Sequence, residues 1–281
     1  MRTILLLALM TNGVWAQTNA PAPPPPPPPA PALTPAAESD LFFERFKIAE
    51  QLAQRGEMQQ AAFAMDLLAQ TLTTSPWLEI AMFKHTQLVE SQNPQTAIEE
   101  YSRLHRRVDN SPYYQGTKER AAVFAVALRG AIQRGVGRVR LYQVRDGLGR
   151  YFVRYHQYPE SLARLAIFGY VELETIRDYT GRPFRYIPTG QRFSPPAISY
   201  GSYDLEPVAG EPFSVNTPRL EGTSLLSDNP PTYAALVRAP GRAEPLRIQE
   251  NQTVDGVFMA AIAARGAVGC SQERLLILPV R

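Results

Sequence analysis

The side chains able to do bond chemistry are few in this 281-residue chain, and they stand far apart. His85, His105 and His156 are its only histidines, each in a different predicted element. A zinc site needs three or four nitrogen, sulfur or oxygen ligands brought together. Three dispersed histidines and the single Cys270 do not supply that set, and one cysteine forms no intramolecular disulfide. Ser161 follows Pro159-Glu160 and reads as a helix start rather than the strained turn of an activated serine. Gly135-x-Gly137 lacks the preceding strand and the further glycine of a phosphate-cradling loop. Asp178 and Asp204 are the one carboxylate pair that could divide acid and base roles, yet each sits where a turn or strand already explains it. The expectation is a non-enzyme with no catalytic residue, metal ligand or cofactor. A hydrolase with an unrecognised site is an alternative.

Charge suggests a second chemistry. Residues 113–165 carry ten Lys and Arg against three acids, a segment charge of +7 in a chain whose net charge is +3. Such a stretch attracts anionic polymer or lipid when it forms one patch. A solvated helix face is the plainer reading, and no nucleic-acid-binding motif accompanies it. A cell-envelope module that binds anionic polymer through this basic helix is therefore the other alternative.

The elements that position these residues begin with targeting. Arg2, the apolar run Ile4–Met10 and Val14-Trp15-Ala16 read as a signal peptide over 1–16. That run is shorter than the roughly 18 residues that span a bilayer. The expected mature chain has no transmembrane segment and is exported, to the periplasm or outside the cell. Ten of the 26 prolines lie between Pro21 and Pro35, seven of them unbroken from Pro23 to Pro29, so residues 17–38 read as a disordered proline-rich linker. Over the whole chain, 44% hydrophobic and 10% aromatic residues suffice for a core and exclude global disorder.

Residues 39–130 show a helical period. Phe46, Ala49 and Leu52, then Ala62, Met65, Leu68 and Leu72, precede Ser75-Pro76; Ile80, Phe83 and Leu88, then Ala97, Tyr101 and Leu104, precede Ser111-Pro112. Pro76 and Pro112 are 36 residues apart, as are Ala61 and Ala97. Two helices per mid-thirties period is the mark of helical hairpin repeats. With Gly56-Glu57, Ala61-Ala62 and Ala97-Ile98-Glu99-Glu100-Tyr101, the stretch resembles tetratricopeptide repeats. That resemblance implies a protein-binding scaffold; hairpins that merely fill out a core are the alternative.

Residues 131–206 carry a second likeness. Leu141, Val144, Leu148, Tyr151 and Tyr155 share a helix face, then come Tyr158-Pro159, the turn Asp178-Tyr179-Thr180-Gly181-Arg182-Pro183, the strand Phe184-Arg185-Tyr186-Ile187, and a partner strand over Ser199–Leu205. The ordered elements Tyr158-Pro159, Asp178–Tyr186 and Tyr203-Asp204-Leu205 resemble the globular head of the type II secretion G-type pseudopilin. The likeness implies an α+β head. Glu206–Pro212 lacks the aspartates of that family's calcium loop, so no calcium site is carried over. Residues 207–231 read as a loop or linker, and 232–281 as a small β-rich domain with strands at Tyr233–Val237, Leu246–Ile248, Val257–Ile262 and Leu275–Val280. This last part is loosely similar to periplasmic β-domains of secretion inner-membrane components.

The expected fold class is thus α+β: N-terminal α-helical hairpin repeats, a pseudopilin-like α+β head and a small β-rich C-terminal part. The expected function is an exported, non-enzymatic adaptor that binds protein partners, not nucleic acid, in a type II secretion or pilus-like system. Tyr101, Arg138 and Arg145 are the candidate protein contacts.

Overall fold

The first helix starts inside the expected linker. In the computed structural model, Thr34 Oγ1 accepts from Ala37 N at 3.3 Å and Pro35 fills the first helical position, so α1 spans Pro35–Gln54. The structure describes residues 33–115, 119–188, 195–199, 218–239, 241–271 and 274–280. The signal peptide, the proline run, Asp204 and the Tyr203-Asp204-Leu205 element lie outside them.

Helices α2 (Met58–Thr71), α3 (Trp77–Val89) and α4 (Pro94–Asn110) follow, with a single turn α5 at Pro112–Gln115. Asn93 and Pro94 start α4 as Thr34 and Pro35 start α1, Asn93 Oδ1 accepting from Thr96 N at 3.3 Å. Helix α6 then runs unbroken from Glu119 to Tyr155, 37 residues and about 55 Å. It crosses the boundary expected at 130/131, because no proline interrupts it until Pro159. After it come α7 (Leu162–Ile167), a 3₁₀ turn (Leu173–Ile176) and a two-stranded antiparallel sheet of β1 (Arg185–Ile187) and β2 (Ala197–Ser199). Strand β1 lies where expected, but its partner starts at Ala197, ahead of the predicted Ser199. Leu141, Val144, Leu148 and Tyr151 of α6 close over Leu162, Leu165, Ile176 and Phe184 in one cluster.

The C-terminal part holds two antiparallel sheets. One has the order β3-β4-β5, from β3 (Arg219–Asp228), β4 (Pro231–Arg238) and β5 (Leu246–Gln249). The other has the order β6-β7-β8-β9, from β6 (Thr253–Val254), β7 (Val257–Ala263), β8 (Gly266–Ser271) and β9 (Arg274–Pro279). The expected loop 207–231 is corrected where it is described, since β3 fills 219–228 and pairs with β4 through Leu225↔Tyr233. A boundary at 231/232 would cut that hairpin. The mix of helix and sheet is α+β.

The helices and the C-terminal strands share one core. Phe42, Phe43, Trp77, Ile80, Phe83 and Leu128 belong to the same buried cluster as Ala260, Val268, Cys270 and Ile277. Gly266 shows why β8 is so poor in large residues: a Cβ there would lie 2.2 Å from the Phe43 ring. The expected separate helical and β-rich parts are therefore one compact unit from Leu33 onward. Among the described residues, no helix is long and apolar enough to cross a membrane.

Candidate functional site

Three glutamates are almost wholly buried, and each is consumed by packing. A buried carboxylate is stable only when paired or hydrogen-bonded. Glu38 on α1 accepts from the backbone N–H groups and hydroxyls of Thr73 and Thr74, fastening α1 to the α2–α3 turn. Burial alone would raise its pKa, but these bonds outweigh it and hold the carboxyl below its ordinary value. Glu79 on α3 accepts from Ser75 Oγ at 3.0 Å, Arg107 Nε at 2.8 Å and Tyr114 Oη at 3.0 Å. Burial and the Glu79 charge together push the Tyr114 phenol upward.

The third glutamate decides the fate of two predicted contacts. Glu90, at the end of α3, takes a fork from Arg138 of α6, with Nη2 to Oε1 at 2.6 Å and Nε to Oε2 at 2.9 Å. Tyr101 Oη of α4 donates to the same carboxylate. Arg138 is 3% exposed and Tyr101 0%, so both are held inside the fold rather than presented as surface contacts, which corrects both expectations, although the Tyr101 ring backs the middle cleft described below. The pair instead fixes α3, α4 and α6 against one another. Gly135 belongs to this lock: a Cβ there would lie 2.4 Å from Tyr101 Cζ, so only glycine lets the phenol pass α6 to reach Glu90. Arg145 is exposed on the same helix.

The other residues singled out by sequence do not converge. Ser161 is the residue before α7 and makes no side-chain cap bond. Asp178 is 5% exposed, and its Oδ1 accepts from Thr180 N, Thr180 Oγ1 and Arg182 N at 2.7–3.0 Å, which closes the turn in which Gly181 takes φ +81. His85 lies 3.8 Å from Asp66 and 3.9 Å from Glu100, and His105 lies 3.0 Å from Asp109. His156 ends α6 at φ +53. Among the described residues no group of three or more His, Cys, Asp or Glu could hold a metal ion.

The basic segment is not one patch either. Arg134 and Arg138 are buried, Arg129 pairs with Asp109, and Arg150 pairs with Asp146. Arg140 donates from Nη1 to the carbonyls of Arg177 and Asp178, at 3.4 and 3.1 Å, so it clamps the Asp178 turn to α6.

A surface worth a function lies along the seam of α4 and α6. At the C-terminal end of α4, a cleft of about 630 Å³ is walled by Arg103, Arg106 and Arg107. Arg106 also borders a middle cleft of about 340 Å³, floored by Ile132 and Val136 and flanked by Tyr179. Arg140 closes that cleft and opens a third, of about 690 Å³, which reaches Asn93 and Ile98 on one side and Asp146, Glu172 and Glu174 on the other. The shared wall residues place the three clefts in a row along the seam, a groove partitioned by the Arg106 and Arg140 side chains. From Arg106 to Asn93 it follows α4 for about 20 Å. Arg107 is tied to Glu79, but Arg103 and Arg106 are exposed with no carboxylate in ion-pair range among the described residues; Arg106 Nε donates to the Ser102 carbonyl of its own helix at 3.3 Å. Sequence reading passed over these two arginines because they fall outside the 113–165 count. The spacing Arg103-x-x-Arg106 on one helix face was the available sign. No family model, no curated protein and no solved structure matches the chain.

Proposed function

We propose that the chain is an exported, non-enzymatic adaptor that binds protein partners through the α4–α6 groove, in a type II secretion or pilus-like system of the cell envelope. The observation that carries this reading is the groove itself. Its walls come from three stretches far apart in sequence, it has an apolar floor, and its exposed Arg103 and Arg106 have no carboxylate in ion-pair range among the described residues. The buried carboxylates, which chemistry would need, are taken up by hydrogen bonds that hold helices together. The 36-residue helical period with its tetratricopeptide-like residues, and the pseudopilin-like order of Tyr158-Pro159 and the Asp178 turn, support a scaffold within secretion machinery. The signal-like start supports export to the periplasm or beyond.

Affinity capture with the full chain from native envelope extract, followed by mass spectrometry, tests the reading. Co-purified secretion or pilus components are the expected result. Recovery of polysaccharide alone, or of no protein, would overturn it.

A further inference from the structure

The groove is charged unequally along its length, and that polarity specifies what fits. Its Pro112 end presents Arg103 and Arg106. Its middle is floored by Ile132 and Val136. Its far end presents Asp146, Glu172 and Glu174, of which Asp146 is shared with Arg150 at 3.1 Å and Glu174 lies 3.9 Å from Arg140. Glu172 has no cation within ion-pair range among the described residues.

We infer that the groove holds an extended peptide segment in one charge direction: acidic side chains over Arg103 and Arg106, an apolar side chain over Ile132 and Val136, and a basic or amide side chain against Glu172 and Glu174. The inference rests on the adaptor reading and names its partner class. Length supports it, because about 20 Å of groove matches six residues of extended chain. Charge argues against a nucleic-acid strand or an anionic polymer, since a uniform polyanion attracted by Arg103 and Arg106 would meet Glu172 and Glu174 further on. An extended segment with opposite charges at its two ends satisfies both.

The test is selection of a phage-displayed random dodecapeptide library on the full chain, followed by fluorescence anisotropy with the enriched peptides made synthetically. Enriched sequences should share an acid–apolar–base order. They should bind Arg103→Glu/Arg106→Glu about tenfold more weakly or worse, and bind Arg45→Glu, exposed on α1 outside the groove, as they bind the parent. Replacing the peptide's acids by lysines should restore binding to the Arg103→Glu/Arg106→Glu chain, which a folding defect would not allow. No enrichment, enrichment without acids, or binding unaffected by the double substitution would overturn the inference. If envelope capture succeeds while the library yields nothing, the adaptor reading survives and the groove assignment falls. If capture fails as well, both fall.

Discussion

Helices α4 and α6 use the same residue types in opposite ways within one or two turns. Tyr101 and Arg138 point into the core and close on Glu90; Arg103 and Arg106, immediately beyond Tyr101 on α4, are exposed with no carboxylate in ion-pair range among the described residues, and Arg106 Nε donates to the Ser102 carbonyl of its own helix at 3.3 Å. The first set sets the spacing of three helices. The second leaves an exposed positive end on a groove. Burial, not residue type, separates the two roles: a charge out of water must find its partner within the fold, and a charge in water is available to a partner outside it.

Breaking the inner set should have the largest effect. Glu90→Ala leaves the Arg138 guanidinium buried and should cost about 3–5 kcal/mol in denaturant unfolding. Glu90→Leu with Arg138→Met should recover most of that loss, because an apolar pair of similar volume carries no desolvation penalty. Gly135→Ala should cost about 1–3 kcal/mol, since the new methyl collides with the Tyr101 ring. Gly266→Ala should lose a similar amount through Phe43, although it lies in the C-terminal sheet. An unchanged Gly266→Ala melting curve would refute the shared core.

The Glu38 lock predicts a pH dependence. Its carboxyl is held below the ordinary value in the folded chain, so its contribution is complete above the unfolded pKa, about 4.3. The contribution fades as pH falls through the lower, folded value. Glu38→Gln should therefore destabilise the chain at pH 7 and flatten this part of the acid limb in unfolding titrations. Smallest of all, Arg103→Glu/Arg106→Glu should change stability by no more than about 0.5 kcal/mol, while capture of partners is lost.

Much of the architecture was legible in the sequence, for physical reasons that particular residues make plain. Apolar periodicity and prolines 36 residues apart marked the helices, and four apolar runs marked β4, β5, β7 and β9. Strand β8 was invisible because Gly266 and Gly269 make room for Phe43 and Val257, contacts that no local pattern encodes. Strand β3 was hidden by its polar outer half, where Leu225 and Leu226 are exposed. The helix start at Pro35 was masked by the proline run before it, although Thr34-Pro35 carries the cap. The site was less legible. Arg138 looks like a surface group, and the Tyr101 hydroxyl has no evident partner, until Glu90 is placed beside them, 48 and 11 residues away in sequence. The groove exists only because α4, α6 and the Tyr170–Thr175 stretch meet in space.

Photo-crosslinking tests the central claim most directly. A photoreactive amino acid would replace Ser102, exposed inside the groove, or Gln59, exposed on α2 away from it, in the full chain expressed in its native cells. Crosslinks from position 102 to a secretion or pilus component, absent from position 59 and lost in Arg103→Glu/Arg106→Glu, are the predicted result. Equal crosslinking from both positions, or crosslinks at 102 to lipid and polysaccharide only, would contradict it.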